Sequence, residues 1–141
     1  MKLPSLLIAS ALAASCAPRA PEIEVSDAWA RATAPGQSNA AVYAKIVNRG
    51  GADRLVGVSS SAGMTMLHRS EQEGGVARMR MLSELPIPSG ERLVLAPGGT
   101  HVMVTGLGAA LPAGTDFPLT FRFAKAGPRT VGVAVVAAGA R

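Results

Sequence analysis

Cysteine is nearly absent from this chain: the 141 residues contain one, Cys16, close to the start. If the chain is cut at that point, the remaining domain holds no thiol. No disulfide can then stabilise it, so its own core must do so. The absence of a CxxC motif excludes thiol-based redox chemistry and thiol-based metal transfer. A blue-copper centre requires a cysteine thiolate, so electron transfer by that kind of site is also excluded.

Aromatic side chains are scarce, and the positive charge is dispersed. Only five aromatic residues occur, and the 14 lysine and arginine residues stand singly, although the formal net charge is +5. Proteins that bind nucleic acids normally cluster their cations and offer aromatic rings on which bases stack. We therefore expect no nucleic-acid partner. The mild positive field can still steer the protein toward acidic membranes or an acidic partner.

Long hydrophobic runs are missing apart from a short one at the start. Lys2 is followed by residues 3–14, which are mostly apolar. The run is too short for a membrane span and is typical of a bacterial secretory leader. The letters AAS stand directly before Cys16, which resembles the lipobox of bacterial lipoproteins, although Leu12 lies four residues before the cysteine rather than the usual three.

Two processing routes remain open for this leader, residues 1–16. Lipidation of Cys16 would tether the protein to a membrane, whereas ordinary cleavage nearby, for instance after Ala17, would release a soluble periplasmic protein. Both routes predict export. Residues 17–22, which include two prolines, are predicted to form a short extended tether. One domain over residues 23–138 follows.

Glycine and proline are abundant, at 16 and 10 residues, and hydrophobic residues make up 48% of the chain. This composition favours a folded core and short strands joined by tight turns. Two-residue alternation predicts about nine strands: residues 23–30, 40–47, 53–59, 64–68, 76–82, 92–95, 101–105, 116–123 and 130–136. Residues 85–90 cannot form a central strand, because their two prolines lack ladder donors. We therefore predict an all-β fold, a Greek-key sandwich or small barrel.

The only two histidines lie within one 36-residue window together with regularly placed methionines. Ten residues separate His68 from Met79, twenty-one separate Met79 from His101, and one separates His101 from Met103. Side chains alternate along a strand, so His101 and Met103 share a face. His68 and Met79 lie on the two arms of a predicted hairpin. Two imidazoles and two thioethers suit Cu(I), because soft sulfur donors prefer a soft cation.

Other interpretations of these residues stay open. Methionine is a common core filler, and Met64, Met66 and Met81 are interpreted as core or rim residues. Trp29 and Tyr43 are interpreted as packing residues. An enzyme would need a nucleophile or an acid–base pair, yet no carboxylate lies within a few residues of the second histidine, so we expect no enzymatic activity. A non-metal β-sandwich that serves as an interaction module is the remaining alternative.

The motif resembles that of the bacterial periplasmic copper chaperones called PCuAC: histidine, ten residues, methionine, twenty-one residues, then histidine-x-methionine. His68, Met79, His101 and Met103 fit this spacing without a gap. The flanking letters are similar as well, notably IPSG at residues 87–90, LAPGGTH before the second histidine and FRFAKAG near the end. The resemblance covers about residues 23–136, which is nearly all of the exported chain.

The resemblance implies a cupredoxin-like β-sandwich in which the four motif residues bind one Cu(I). It also implies delivery of copper to the CuA site of cytochrome c oxidase subunit II, directly or with a thiol-reducing copper chaperone, in the periplasm of a Gram-negative bacterium. Family members often carry another methionine shortly after the first histidine, but Arg69 and Ser70 stand there. Met66 or Met81 is the available substitute. The chain has no His/Met-rich tail, so a single site is predicted, and copper sequestration is the alternative to delivery.

Overall fold

Residues 17–141 are described by a computed structural model; the expected leader and the expected lipidation site at Cys16 lie outside the described residues. The described part of the chain forms ten β-strands: β1 (Ile23–Arg31), β2 (Ala40–Asn48), β3 (Asp53–Ser59), β4 (Met64–Glu73), β5 (Val76–Leu82), β6 (Leu85–Ile87), β7 (Arg92–Leu95), β8 (Thr100–Thr105), β9 (Asp116–Phe123) and β10 (Gly127–Val136). Over the same residues, no helix is long and apolar enough to cross a membrane.

All ten strands belong to one sheet. Their order is β5-β4-β8-β2-β1-β10-β9-β3-β6, and β7 pairs with the part of β2 that β8 leaves free. β3 and β4 lie near opposite ends of this order but follow each other in the chain. Thr65 Oγ1 of β4 donates a hydrogen bond to the Val58 carbonyl oxygen of β3 at 2.7 Å. The sheet therefore folds over on itself, which agrees with the predicted sandwich or small barrel.

The core lies between the two halves of the folded sheet. β2 and β8 contribute one half, in which Val42, Ile46, Val102 and Val104 are fully buried. β9, β10 and β3 contribute the other half. Its largest fully buried side chains are Phe121, Phe123, Leu55, Leu119 and Val133. Because the even-numbered residues of β2 and β8 point into this core, the odd-numbered residues between them point to the outer face of the sheet.

The strands differ from the sequence prediction mainly in two places. Leu85–Ile87 forms a tenth strand, in which Pro86 pairs with Arg54 of β3. This strand is the last one at its end of the sheet, where the missing proline N–H leaves no neighbour unpaired. β4 also continues to Glu73, well beyond the predicted end at residue 68, because the β4–β5 ribbon extends to the Gly74-Gly75 turn.

The expected tether, residues 17–22, runs beside the turn that follows β2. The Gly51 N–H donates to the Ala20 carbonyl oxygen at 3.0 Å. The Glu22 N–H donates to Asn48 Oδ1 at 3.2 Å, while Asn48 Nδ2 donates to the Gly51 and Ile87 carbonyl oxygens at 2.8 and 3.2 Å. The fully buried Asn48 side chain therefore joins the tether, the β2–β3 turn and β6.

Candidate metal centre

Three adjacent strands, β5, β4 and β8, bring the two histidines into one row on the outer face of the sheet. His68 of β4 is directly opposite His101 of β8 on one side and opposite Met81 of β5 on the other. The two imidazole rings meet edge to face, with centroids 5.9 Å apart and planes at 88°. Thirty-three positions separate these histidines in the sequence, and the pairing of β4 with β8 makes them neighbours.

The methionines of the motif lie on either side of this row. Met103 is two residues beyond His101 on the same face of β8 and is directly opposite Met66 of β4. Met79 of β5 is opposite Ser70 rather than opposite His68. Diagonal neighbours of this kind have Cα atoms about 7–8 Å apart, which long side chains can bridge. The structure thus places all four predicted residues on one face of three adjacent strands.

Burial distinguishes these side chains sharply. Only 3% of His101 is exposed, whereas His68, Met66 and Met103 are half-buried. Met79, on the edge strand, is 61% exposed. The candidate centre therefore has a closed side at β8 and an open side at β5, where an ion or a partner protein can approach.

Both histidines carry a buried ring nitrogen without a hydrogen-bond partner. These atoms are Nδ1 of His68 and Nε2 of His101. His101 Nδ1 donates to the Gly99 carbonyl oxygen at 3.0 Å, so its Nε2 holds a free lone pair. A buried polar atom without a partner is costly and calls for an explanation such as a bound ion. Two imidazole nitrogens beside thioethers fit a soft, monovalent copper ion.

Aromatic rings form the wall of the site on the side away from β5. The Tyr43 ring lies 6.3 Å from that of His101, and the Trp29 ring lies 4.6 Å from Tyr43. The Arg31 guanidinium lies 5.5 Å from the Trp29 centroid and 6.0 Å from that of Tyr43. From the sequence, Trp29 and Tyr43 are interpreted only as packing residues. No local sequence signal could have placed them here, because the β1–β2–β8 order joins residues from distant parts of the chain.

A cavity of about 280 Å³ opens beside the aromatic wall and reaches Met103. Its lining includes two small residues of β2, Ala40 and Ala41, together with Arg31 and Tyr43. Met103 is opposite Ala41 in the β2–β8 pairing. The small side chain at position 41 therefore leaves room beside the thioether of Met103, which keeps this side chain only half-buried.

The candidate centre is built from uncharged side chains. Among residues 17–141, no group of three or more histidine, cysteine, aspartate or glutamate side chains could share an ion. The set on β4, β5 and β8 instead combines two imidazoles with the thioethers of Met66, Met79, Met81 and Met103. Such a set would leave the full charge of a bound ion uncompensated.

Comparison with solved structures identifies PCuAC domains as structural relatives. The copper-bound PCuAC domain from PmoF2 is 29% identical, with a TM-score of 0.69, and the alignment covers 82% of this chain and 93% of that one. The Cu(I) form of DR1885 from Deinococcus radiodurans is also 29% identical, with a TM-score of 0.63 and coverages of 77% and 74%. These relatives confirm the predicted resemblance to PCuAC and the cupredoxin-like β fold.

Sequence comparison gives the family. A protein of Leifsonia xyli subsp. xyli (strain CTCB07) described as "Putative lipoprotein Lxx21020" is 37% identical over 116 residues, which cover 80% of this chain and 69% of that protein. The pattern of the family described as "LpqE-like: Putative lipoprotein LpqE-like" matches residues 23–135. This match spans all ten strands except the last residue of β10. The chain therefore belongs to the LpqE-like family.

Proposed function

We propose that the protein is a periplasmic metallochaperone that binds one Cu(I) and delivers it to the CuA centre of cytochrome c oxidase. His68, Met79, His101 and Met103 bind the ion in this proposal. The protein performs no catalysis, because its chemistry consists of holding an ion and releasing it. The acceptor is the CuA domain of oxidase subunit II, which is loaded directly or together with a thiol-reducing copper chaperone.

One observation carries the proposal: two unpaired, buried imidazole nitrogens lie on the face that also presents the motif thioethers. A folded protein normally pairs its buried polar atoms, since each unpaired atom costs about 1–3 kcal/mol. Copper binding would satisfy both nitrogens at once. The related structures support the choice of metal, because the PCuAC domain from PmoF2 is copper-bound and DR1885 is in its Cu(I) form.

The residues of the site account for both holding and release. The Gly99 carbonyl oxygen fixes the tautomer of His101, so that its Nε2 lone pair is ready to bind. His68 and Met103 complete the inner side, and Met79 closes the site from the exposed edge strand. Because these ligands are uncharged, a charged thiolate on an acceptor can compete for the ion. Export supports this role, since thioethers do not form disulfides in an oxidising compartment.

The leader and the relatives support the proposed location. The sequence before Cys16 resembles a lipobox, and both the family and the curated relative are described as lipoproteins. Lipidation at Cys16 would hold the domain near the membrane that contains the oxidase. Ordinary cleavage would instead release a soluble chaperone into the same compartment.

The first experiment is an anaerobic Cu(I) titration of residues 17–141 against a competing chromophoric chelator. We expect one tight equivalent, which is lost in the His68→Ala/His101→Ala double variant. The matched control replaces Met64 by Leu; it is exposed and pairs with Thr105, away from the histidine row. Absence of binding, or several weak equivalents, would contradict the proposal and leave an interaction module as the function.

A second experiment separates delivery from sequestration. The copper-loaded protein is mixed with a reduced CuA domain, and transfer is measured after the two proteins are separated. We expect transfer from the wild type and none from the His68→Ala variant. Tight binding without transfer, even with a thiol-reducing chaperone present, would identify the protein as a copper store.

A further inference from the structure

Met81 is not part of the recognised spacing, yet the structure places it in the histidine row. It is directly opposite His68 in the β4–β5 pairing, and His68 is directly opposite His101 in the β4–β8 pairing. Cβ atoms of directly opposed residues are about 4.5–5.5 Å apart. Met81 is therefore nearer to His68 along the sheet than Met79, which is opposite Ser70.

Exposure rises steadily along this row. His101 is 3% exposed, His68 is half-buried and Met81 is 67% exposed. β5, which carries Met81, is the terminal strand of the sheet at this end. The row thus runs from the buried imidazole of His101 to the exposed thioether of Met81. A partner protein can approach at this exposed end.

Packing does not explain this methionine well. With two-thirds of its surface exposed, Met81 buries little apolar area. This exposure leaves the thioether free to change rotamer, as the three rotatable bonds of methionine permit.

We propose that Met81 is a copper-binding residue that acts during entry and exit of the ion. With His68 it holds Cu(I) at the open end of the row, before the ion reaches His101 and Met103 and again as it leaves. A bond from copper to the Met81 sulfur forms as a bond to the inner residues breaks. The metal stays Cu(I), and no electron or proton is transferred. This inference rests on the proposed function, because it names the route to the same site.

The test uses the intact protein labelled with ¹³C at its methionine methyl groups. Cu(I) is added anaerobically, and the methyl resonances are assigned by single Met→Leu variants. We expect the Met81 resonance to shift together with those of Met79 and Met103. Met64, which is 70% exposed on the same sheet but pairs with Thr105, is the control and should not move. An unchanged Met81 resonance would overturn the proposal.

A kinetic measurement tests the exit role. The Met81→Leu variant should release Cu(I) to a thiolate chelator about tenfold more slowly than the wild type, because it lacks the exposed sulfur that takes the ion over from the inner residues. Met64→Leu should release it at the wild-type rate. Release from Met81→Leu at the wild-type rate would overturn the exit role. Faster release would also overturn it, because Met81 would then hold the ion rather than pass it on.

The design separates this inference from the proposed function. The wild type could bind Cu(I) through His68 and His101 while the Met81 resonance does not shift and Met81→Leu releases copper at the wild-type rate. In that case only the inference fails. If the wild type binds no Cu(I), the proposed function fails first and the role of Met81 with it. Thermal unfolding of the copper-free Met81→Leu variant should match the wild type, which ensures that a slow release is not caused by misfolding.

Discussion

The Nδ1 atom of His101 lies 3.0 Å from the carbonyl oxygen of Gly99. A carbonyl oxygen only accepts hydrogen bonds, so the ring must donate from Nδ1 and keep its lone pair on Nε2. The same oxygen accepts the Ser70 N–H at 3.1 Å. One backbone atom therefore ties the turn before β8 to β4 and orients the imidazole, an arrangement typical of histidines that bind metals.

His68 has no comparable support for its buried Nδ1 atom. Replacing His68 by Leu should therefore remove an unpaired polar atom without breaking a bond at that atom. We expect the free energy of unfolding of the copper-free protein to stay constant or to rise by about 1 kcal/mol. Copper affinity should fall at least about tenfold. Urea unfolding in the presence of a copper chelator measures the first quantity, and competition titration measures the second.

The opposite stability result would be informative. A clear drop in the free energy of unfolding of His68→Leu would mean that the imidazole stabilises the copper-free protein. Its Nδ1 atom would then not be an unpaired atom that awaits an ion. The matched comparison is His101→Leu. This change also loses the hydrogen bond to the Gly99 oxygen. We therefore expect the free energy of unfolding of His101→Leu to be about 1 kcal/mol lower than that of His68→Leu.

Met103 provides a cleaner separation of binding from folding. It is half-buried opposite Met66 and Ala41, and leucine has nearly the same volume. Met103→Leu should cost less than about 1.5 kcal/mol of copper-free stability, yet it should weaken Cu(I) binding because the thioether is lost. Thermal unfolding and competition titration check the two parts. Equal affinities for the variant and the wild type would assign Met103 to packing.

The alternation of residues predicted much of the fold and site. It placed His101 with Met103 on one face, and it predicted the strand over residues 116–123 that the structure confirms as β9. Counting back from the two-residue Gly74-Gly75 turn would also have paired His68 with Met81, since such turns fix the register of a hairpin. Both glycines have the positive φ values, 58° and 79°, that this turn requires.

The contacts between distant strands could not be predicted in this way. Alternation does not reveal that β8 lies between β4 and β2, and only this order brings His101 between His68 and Tyr43. The unpaired state of the ring nitrogens depends on the same order, together with the position of the Gly99 carbonyl. The spacing motif suggested which residues meet, whereas the reason they meet is the long-range pairing of three strands.

Asn48 is a structural position whose loss should leave the copper site intact. Its side chain accepts the N–H groups of Glu22 and Gly50 and donates to the Gly51 and Ile87 carbonyl oxygens. Asn48→Ala would leave several of these buried groups unpaired, so we expect a loss of about 3 kcal/mol in the free energy of unfolding. Urea unfolding measures it. Copper affinity of the folded variant should equal that of the wild type. A large change in affinity would mean that the β2–β3 turn is energetically coupled to the copper site.

Asp53 should make stability depend on acid pH. Its buried carboxylate accepts the N–H groups of Arg54 and Lys125 at 2.8 and 2.9 Å on Oδ1, and that of Ala126 at 2.8 Å on Oδ2. Burial by itself raises the pKa of this carboxyl, but the three N–H bonds outweigh burial and hold the pKa below its usual value. The folded protein therefore favours the ionised form, which fastens the β9–β10 hairpin to the start of β3.

The sign of the pH effect follows from this lowered pKa. Stability from Asp53 is complete above the pKa of the unfolded chain, about 3.9, and it is lost as the pH falls through the lower pKa of the folded state. Asp53→Asn keeps the size but presents an NH₂ group to at least one N–H donor, so it should cost about 1–3 kcal/mol at neutral pH. Urea unfolding of both proteins from pH 7 down to pH 2 should show this difference shrinking in acid. A constant difference across that range would mean that ionisation of Asp53 does not contribute to the stability of the fold.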